Sequence, residues 1–134
     1  MAKKKPIYKF AKHEGGTFHF PRRVMNSDEF HALSPGARSL LFEFQAIFHP
    51  STNGRLNLSH AKAAQKLNVT EKTVSGYYIE LMQAHFIEQS HDYCYTQGKS
   101  RLYRLTYEPC RGREPTDEWK ASIAPIPDSH KPAD

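Results

Sequence analysis

The spacing of apolar residues between Leu58 and Leu81 predicts two short helices in quick succession. Positions three and four apart share one face of a helix, and such faces are formed first by Ala61, Ala64 and Leu67 and then by Val74, Tyr77, Tyr78 and Leu81. Ser59 and Thr70 stand at the N-cap positions, and Asn68 separates the two patterns. Because the break is so short, the two helices must cross at a steep angle.

A longer apolar stripe from Pro35 to His49 predicts the main supporting helix. Ser34 followed by Pro35 marks its start, since serine caps a helix and proline suits the first turn. The residues along one face are Ala37, Leu40, Leu41, Phe44, Ile47 and Phe48. Phe42 lies off this stripe and is either a single exposed aromatic residue or part of a contact between subunits.

Shorter elements flank that helix. Residues 17–20 have the alternation of a short extended segment, and Asn26 or Ser27 can cap a helix of about two turns from Asp28 to Leu33. Residues 50–54 are typical of a loop and residues 55–58 of a short strand.

A β-hairpin is predicted after the second short helix. Residues 87–95 and 101–107 are rich in β-prone side chains and are joined by the polar link Thr96-Gln97-Gly98-Lys99-Ser100. Tyr103, Leu105 and Tyr107 alternate onto one face, whereas Arg104 faces the other way. His85 stands before the hairpin, where a residue of positive φ would end the helix.

Positive charge is concentrated at the start of the chain, which favours an anionic partner. The 134 residues have a net charge of +5, and residues 1–23 alone have five lysines and two arginines against one glutamate, a net +6. We expect a flexible basic arm at residues 1–16, one domain at residues 17–109 and a proline-rich, largely disordered tail at residues 110–134. In that tail a short helix from Thr116 to Ser122 can dock Trp119 on the domain.

The paired helices and the hairpin resemble the winged helix-turn-helix of small DNA-binding proteins from bacteria and phages. The matching positions are Ala64, Leu67, Val69, Thr70, Thr73, Val74 and Leu81. In that family a small residue lets the helices pack closely, an aliphatic residue plugs the turn and a hydroxyl residue caps the recognition helix, roles that Ala64, Val69 and Thr70 match. Asn68 and His85 stand where the family often has glycine. The resemblance implies an α+β, mainly α fold, with a helical core and a C-terminal β-hairpin wing.

Residues 20–41 are also similar to the openings of small winged-helix proteins from phages, plasmids and integrated elements. The resemblance implies sequence-specific binding of double-stranded DNA by a transcriptional repressor or regulator of a mobile element, as a dimer on a palindromic site. Two alternatives stay open: a winged-helix module that docks on a protein of a host nucleic-acid machine, and an accessory plasmid or phage replication protein.

The predicted recognition helix turns one polar face away from the core. Stepping 100° per residue from Val74 places Lys72, Gly76, Ile79 and Gln83 on that face, with Thr73 and Ser75 at its flanks. The expected DNA contacts are phosphate for Thr70 and Thr73, phosphate or guanine for Lys72 and a base edge for Ser75. Glu71 would repel phosphate, and the face lacks arginine, so we expect modest direct readout of bases.

Gly76 is an unusual residue for the middle of a helix. Glycine destabilises such a position by about 1 kcal/mol relative to alanine. Its presence indicates a close neighbour, which is either a DNA backbone or another helix of the same domain.

Further DNA contacts are expected from the wing and the arm. The wing residues are Gln97, Gly98, Lys99, Ser100 and Arg101, and the arm residues are Lys3, Lys4, Lys5, Arg22 and Arg23. The alternative is that these charged segments are merely solvated.

The sequence contains no recognisable pattern for a metal site or a catalytic site. The eight histidines and two cysteines lack the paired spacing of zinc modules, and no phosphate loop, nucleophile elbow or carboxylate pair is recognisable. We therefore expect no metal, no cofactor and no enzymatic activity. Neither a secretory signal nor an apolar run of membrane-spanning length occurs, so the expected place is the cytoplasm, in association with the nucleoid and with reduced cysteines.

Overall fold

The computed structural model describes residues 16–90 and 101–121 and shows a mainly helical α+β architecture. Its α-helices are α1 (Arg22–Met25), α2 (Asp28–His31), α3 (Pro35–Ile47), α4 (His60–Leu67) and α5 (Glu71–Gln83). Two antiparallel strands, β1 (Ile87–Ser90) and β2 (Leu102–Leu105), and a 3-10 helix (Glu118–Ala121) follow. The predicted α+β, mainly helical class is thereby confirmed.

The side chains predicted to cap the helices do so. The hydroxyl groups of Ser34, Ser59 and Thr70 accept hydrogen bonds from the backbone N–H three residues further on, at 3.2, 3.1 and 3.1 Å. Ser27 rather than Asn26 caps α2, and its hydroxyl accepts from the Phe30 N–H at 3.1 Å. Each cap contributes about 1 kcal/mol and fixes a helix start locally.

Two residues of positive φ set the ends of α4 and α5. Asn68 has φ 60° and ψ 46°, and His85 has φ 65°. Asparagine and histidine tolerate this region better than most residues, and both turns occur where the sequence predicts them. Residues 68–70 therefore suffice to connect α4 to α5.

Several elements are shorter than predicted. Helix α2 ends at His31 rather than Leu33, and α3 ends at Ile47 because Phe48 already has an extended backbone with ψ 142°. The expected strand at residues 55–58 is reduced to an isolated bridge between Leu56 and Tyr103. No signal in the sequence marks α1, since the residue before it is Pro21, which has no side chain able to cap.

The core lies where α3, α5 and the hairpin meet. The Phe44 ring packs between Tyr78 and Tyr103, with centroids 5.7 and 5.3 Å away. Burial raises the pKa of Tyr78 well above its ordinary value, and its hydroxyl donates to the Leu58 carbonyl. The predicted inner face of β2 is confirmed, because Tyr103, Leu105 and Tyr107 are all buried.

The stripe on α3 differs from the prediction at its C-terminal end. Ala37, Leu40, Leu41 and Phe44 are buried as expected, but Ile47 is 39% exposed. Gln45 is buried instead, because its Oε1 accepts from the Tyr107 hydroxyl at 2.6 Å and its Nε2 donates to Glu108 at 2.7 Å. A polar side chain can replace an apolar one in a core when it is hydrogen-bonded in this way.

Asn53 is a fully buried amide that pairs with the backbone of β2. Its Oδ1 accepts from the Leu105 N–H at 2.7 Å, and its Nδ2 donates to the carbonyls of Leu105 and Pro109, both at 3.0 Å. The side chain thus stands in for a neighbouring strand at this point of β2.

The chain beyond residue 109 packs on the domain. Trp119 is 3% exposed, and its ring stacks on Phe86 with centroids 5.5 Å apart. The predicted docking of Trp119 is confirmed, and the folded part of the chain extends to residue 121, past the predicted domain end at 109. The rest of the predicted tail and residues 1–15 of the predicted arm lie outside the described residues.

Phe42 lies against rings of its own chain. Its ring centroid is 4.9 Å from that of Phe20 and 6.0 Å from that of Phe30. Phe42 is thus partly covered by its own chain, and the dimer stays a prediction. In the part of the chain that the structure describes, none of the helices combines the length and apolarity required to cross a membrane.

Candidate nucleic-acid interface

Helices α4 and α5 pack through small and aliphatic side chains. Ala63 and Ala64 of α4 are buried, as are Val74 and Tyr78 of α5. Ala61 was predicted on the buried face but is exposed. The buried side of α4 is formed instead by Ala63 and Ala64, which precede Leu67 by four and three residues. This packing uses one side of α5, and no other described element packs on the opposite side.

The outward face of α5, which we define by Lys72, Gly76, Ile79 and Gln83, is exposed as the sequence predicts. It lies opposite the buried Val74, Tyr78 and Leu81. Residues seven positions apart, such as Lys72 and Ile79, are separated by about 10 Å along a helix axis, which corresponds to about three base-pair steps. The face is therefore long enough to meet several consecutive base pairs.

Gly76 lies in the middle of this face with open space beside it. Among the residues that the structure describes, no neighbouring atom lies within 4 Å of a Cβ built at Gly76. The sequence left two possible neighbours for Gly76, a DNA backbone or another helix of the same domain. Among the described residues, no other helix lies close enough to be that neighbour. The described fold itself does not require glycine at this position.

The carboxylates of α5 do not lie on its outward face. The two oxygens of Glu80 accept hydrogen bonds from the N–H and the hydroxyl of Ser34, both at 2.7 Å, which ties α5 to the start of α3. Glu71, at the first residue of α5, lies close enough to His60 to raise its pKa. Lys72 therefore sets the charge of the outward face.

A polar cluster at the start of α4 brings α5 near Arg101, the residue before β2 at the loop end of the hairpin. Ser75 Oγ lies 3.4 Å from His60 Nδ1, and the His60 ring packs on Tyr78 with centroids 4.1 Å apart. Burial lowers the pKa of His60, nearby Arg101 lowers it further, and Glu71 opposes both. Burial raises the pKa of Tyr103, and the nearby Arg101 opposes this.

The cluster changes the roles predicted for two residues. Ser75, expected to meet a base edge, faces α4 and its histidine instead. Arg101, expected at the wing, is exposed and lies beside the first residue of α4. This cation at the loop end of the hairpin is thus near the first residue of α4.

The threonines at the start of α5 are exposed, as their predicted role requires, but their hydroxyls already have partners. Thr70 Oγ1 accepts from the Thr73 N–H at 3.1 Å and donates to Thr73 Oγ1 at 3.0 Å. A phosphate at this end of α5 would therefore meet the remaining backbone amides of the first turn and the spare acceptor and donor capacity of the two hydroxyls.

Arg23, predicted to contact phosphate, is instead held within the fold. Its guanidinium donates to the Tyr107 carbonyl at 2.8 Å and to the Asp117 carboxylate at 3.0 Å, and it lies over the Trp119 ring. Tyr107 follows β2 and Arg101 precedes it, so Arg23 and Arg101 lie at opposite ends of that strand. Arg23 therefore does not belong to the candidate interface, whereas Arg22 is exposed.

The other predicted contacts cannot be placed. Lys3, Lys4, Lys5, Gln97 and Lys99 lie outside the described residues. The described part of the site therefore consists of the outward face of α5, the start of that helix and Arg101.

Two lysines of α4 were missed in the sequence. Lys62 and Lys66 are exposed on α4, outside the buried stripe of Ala63 and Ala64. Their spacing of four, out of phase with the buried alanines, is a signal that could have identified them. They add positive charge to the paired helices.

An open cleft of about 430 Å³ lies on the outer face of the hairpin. Arg104, Arg111 and Arg113 contribute to its lining. Arg104 is already paired with Glu88 and Glu118. The sequence did not indicate this cleft, because residues 110–121 were assigned to a tail.

Within the described ranges, no three His, Cys, Asp or Glu side chains come together in a group that could hold a metal ion.

Comparisons of the chain with protein-family models, with curated proteins and with solved structures found no match.

Proposed function

We propose that this protein binds double-stranded DNA as a winged helix-turn-helix, with α5 in the major groove and the hairpin beside the phosphate backbone. The observation that carries the proposal is the open space at Gly76. A glycine that weakens a helix by about 1 kcal/mol and has no steric role in the described fold is explained by a partner that approaches α5 closely. The backbone of α5 can then lie against the edges of base pairs.

Charge supports a nucleic acid as that partner. Lys72 is on the outward face of α5, Arg101 lies beside His60, and Lys62 is exposed on α4. The Glu80 carboxylate is turned to Ser34 and away from this surface. Phosphate groups attract such cations, and this electrostatic attraction supplies most of the sequence-independent affinity for DNA.

The arrangement of the helices also supports the groove as the docking place. Helix α4 packs across α5, and a turn of residues 68–70 keeps the two together. In a helix-turn-helix the first helix holds the second against the major groove. Regulation of transcription on a mobile element is the biological role that we propose with it, on the resemblance of residues 20–41 to winged-helix proteins of such elements.

The test is selection of bound duplexes from a randomised library by the full chain, followed by fluorescence anisotropy on a selected duplex. Lys72→Ala should weaken binding by several-fold and relax base preference. Lys120→Ala is the charge-matched control, because that exposed lysine lies 3.8 Å from Asp117, which Arg23 joins to the Tyr107 end of β2, away from Arg101. A library that yields no enriched duplex, or equal losses for both variants, would contradict the proposal.

A further inference from the structure

Ile79 is an exposed aliphatic side chain in the middle of the outward face of α5. It is 51% exposed, although the same helix buries Val74, Tyr78 and Leu81 on its other side. It follows Gly76 by three residues, so the two positions are neighbours on the helix surface. The glycine leaves a flat approach beside the isoleucine, with no described atom within 4 Å of the position its Cβ would take.

Resting on the proposed function, we infer that Ile79 contacts the C5 methyl group of a thymine in the major groove. The four base-pair orientations differ in the major groove by their donors and acceptors, and thymine adds an exposed methyl group. An isoleucine offers neither a donor nor an acceptor, so this methyl is the feature of a base edge that it can recognise by contact. Gly76 lets the helix backbone approach closely enough for the short side chain of Ile79 to reach the base.

The neighbours of Ile79 on the same face agree with an A·T-containing site. Gln83 is exposed one turn further on, and a glutamine amide can pair with both N6 and N7 of adenine. Lys72 lies about 10 Å before Ile79 along the axis, where it can reach a phosphate or a guanine. The face thus combines one apolar, one amide and one cationic group, a set that matches a mixed base sequence better than a purely electrostatic contact.

The experiment is a double-mutant cycle, in which the thymine methyl group is removed from the DNA and the Ile79 side chain is removed from the protein. A duplex selected by the full chain is prepared with uracil in place of each thymine in turn, which deletes the methyl group and leaves the base pair and the phosphate charges intact. Wild type, Ile79→Ala and the control Ile47→Ala are titrated on each duplex. Ile47 is an isoleucine of similar exposure, 39%, at the end of α3, and thermal unfolding checks that all three proteins are folded.

At one thymine, uracil should weaken wild-type binding about fourfold, the effect of withdrawing one methyl group from contact. Ile79→Ala should bind the thymine duplex more weakly by a similar or larger factor and should no longer distinguish uracil from thymine there, whereas Ile47→Ala should behave as wild type. Selected duplexes with no uracil-sensitive thymine, or sensitivity that persists in Ile79→Ala, would overturn the inference and leave the proposed function standing. If no duplex is selected, both the inference and the proposed function fall.

Discussion

The end of the Tyr77 ring lies over Gly36, so closely that a Cβ on residue 36 would stand 2.0 Å from Tyr77 Cζ. Gly36 is in the first turn of α3, and Tyr77 is on α5. The missing side chain lets the two helices meet at this point, next to the place where Glu80 of α5 accepts hydrogen bonds from Ser34. The orientation of α5 on its support depends on these two contacts.

Gly36→Ala should lower the free energy of unfolding by about 1 kcal/mol. Overpacking typically destabilises by about 1–3 kcal/mol, and the better helix propensity of alanine offsets part of that. In a Tyr77→Ala background the same change should stabilise, because the clash is gone. Chemical denaturation of the four proteins measures the coupling, and an effect of the same sign in both backgrounds would refute the steric explanation.

Asn53→Ala should lower the free energy of unfolding by about 3 kcal/mol, because it leaves the buried Leu105 N–H without its acceptor and removes the amide donor from the carbonyls of Leu105 and Pro109. The matched control is Asn57→Ala at an exposed asparagine of the same loop region, for which we expect a change within about 0.5 kcal/mol. Urea denaturation distinguishes the two. Equal stability of both variants would show that the amide does not support β2.

Locally determined features were predictable from the sequence. Ser34 and Thr70 cap their helices by bonds to amides three residues away, and Asn68 turns the chain by its own backbone preference. Such contacts depend on residues that are close in sequence, so a pattern over a few positions contains the necessary information.

Long-range contacts were not predictable in this way. Asn53 meets Leu105 across 52 positions, and Arg23 meets Asp117 across 94. An isolated arginine near a basic segment gives no sign that its partner is an aspartate in a proline-rich stretch. For the same reason Arg23 was assigned to the phosphate contacts and residues 110–121 to a tail.

The same distinction between local and long-range information applies to the candidate site. Helical periodicity alone identified the outward face of α5, because the side opposite the apolar stripe of Val74, Tyr78 and Leu81 must point outward. The sequence left two neighbours open for Gly76, and only three-dimensional packing excludes the described helices. The contact between Ser75 and His60 crosses from one helix to the other, so no single periodic pattern reveals it.

Acidification should destabilise the wild-type protein through His60. Its pKa in the folded protein is lowered from the ordinary 6.5, chiefly by burial. As pH falls through that value, the unfolded chain binds a proton before the folded protein does, so the free energy of unfolding decreases. Thermal unfolding from about pH 8 to about pH 5 should show that His60→Gln loses less stability than wild type. The control is His31→Gln at an exposed histidine, and a wild-type curve parallel to that of His60→Gln would contradict the assignment.

The arginines at the two ends of β2 should differ in what they support. Arg101→Ala should weaken DNA binding and reduce the slope of log affinity against log salt by about one phosphate contact, with little change in stability. Arg23→Ala should lower stability by about 1 kcal/mol, because it removes the bonds to Tyr107 and Asp117, and leave the salt slope unchanged. Anisotropy titrations between about 50 and about 200 mM salt, with thermal unfolding in parallel, compare them. Identical behaviour of the two variants would argue against the position of the interface.

The most direct test of the central claim, that a duplex approaches the backbone of α5, is the affinity of Gly76→Ala for a selected duplex, measured together with its stability. The added Cβ meets no atom of the described residues within 4 Å, so we expect the free energy of unfolding to rise by up to about 1 kcal/mol. In the complex the same methyl group would intrude between helix and DNA, so affinity should fall about tenfold or more, a loss of ~1.4 kcal/mol. A Gly76→Ala protein that is more stable and binds the duplex as tightly as wild type would contradict the account.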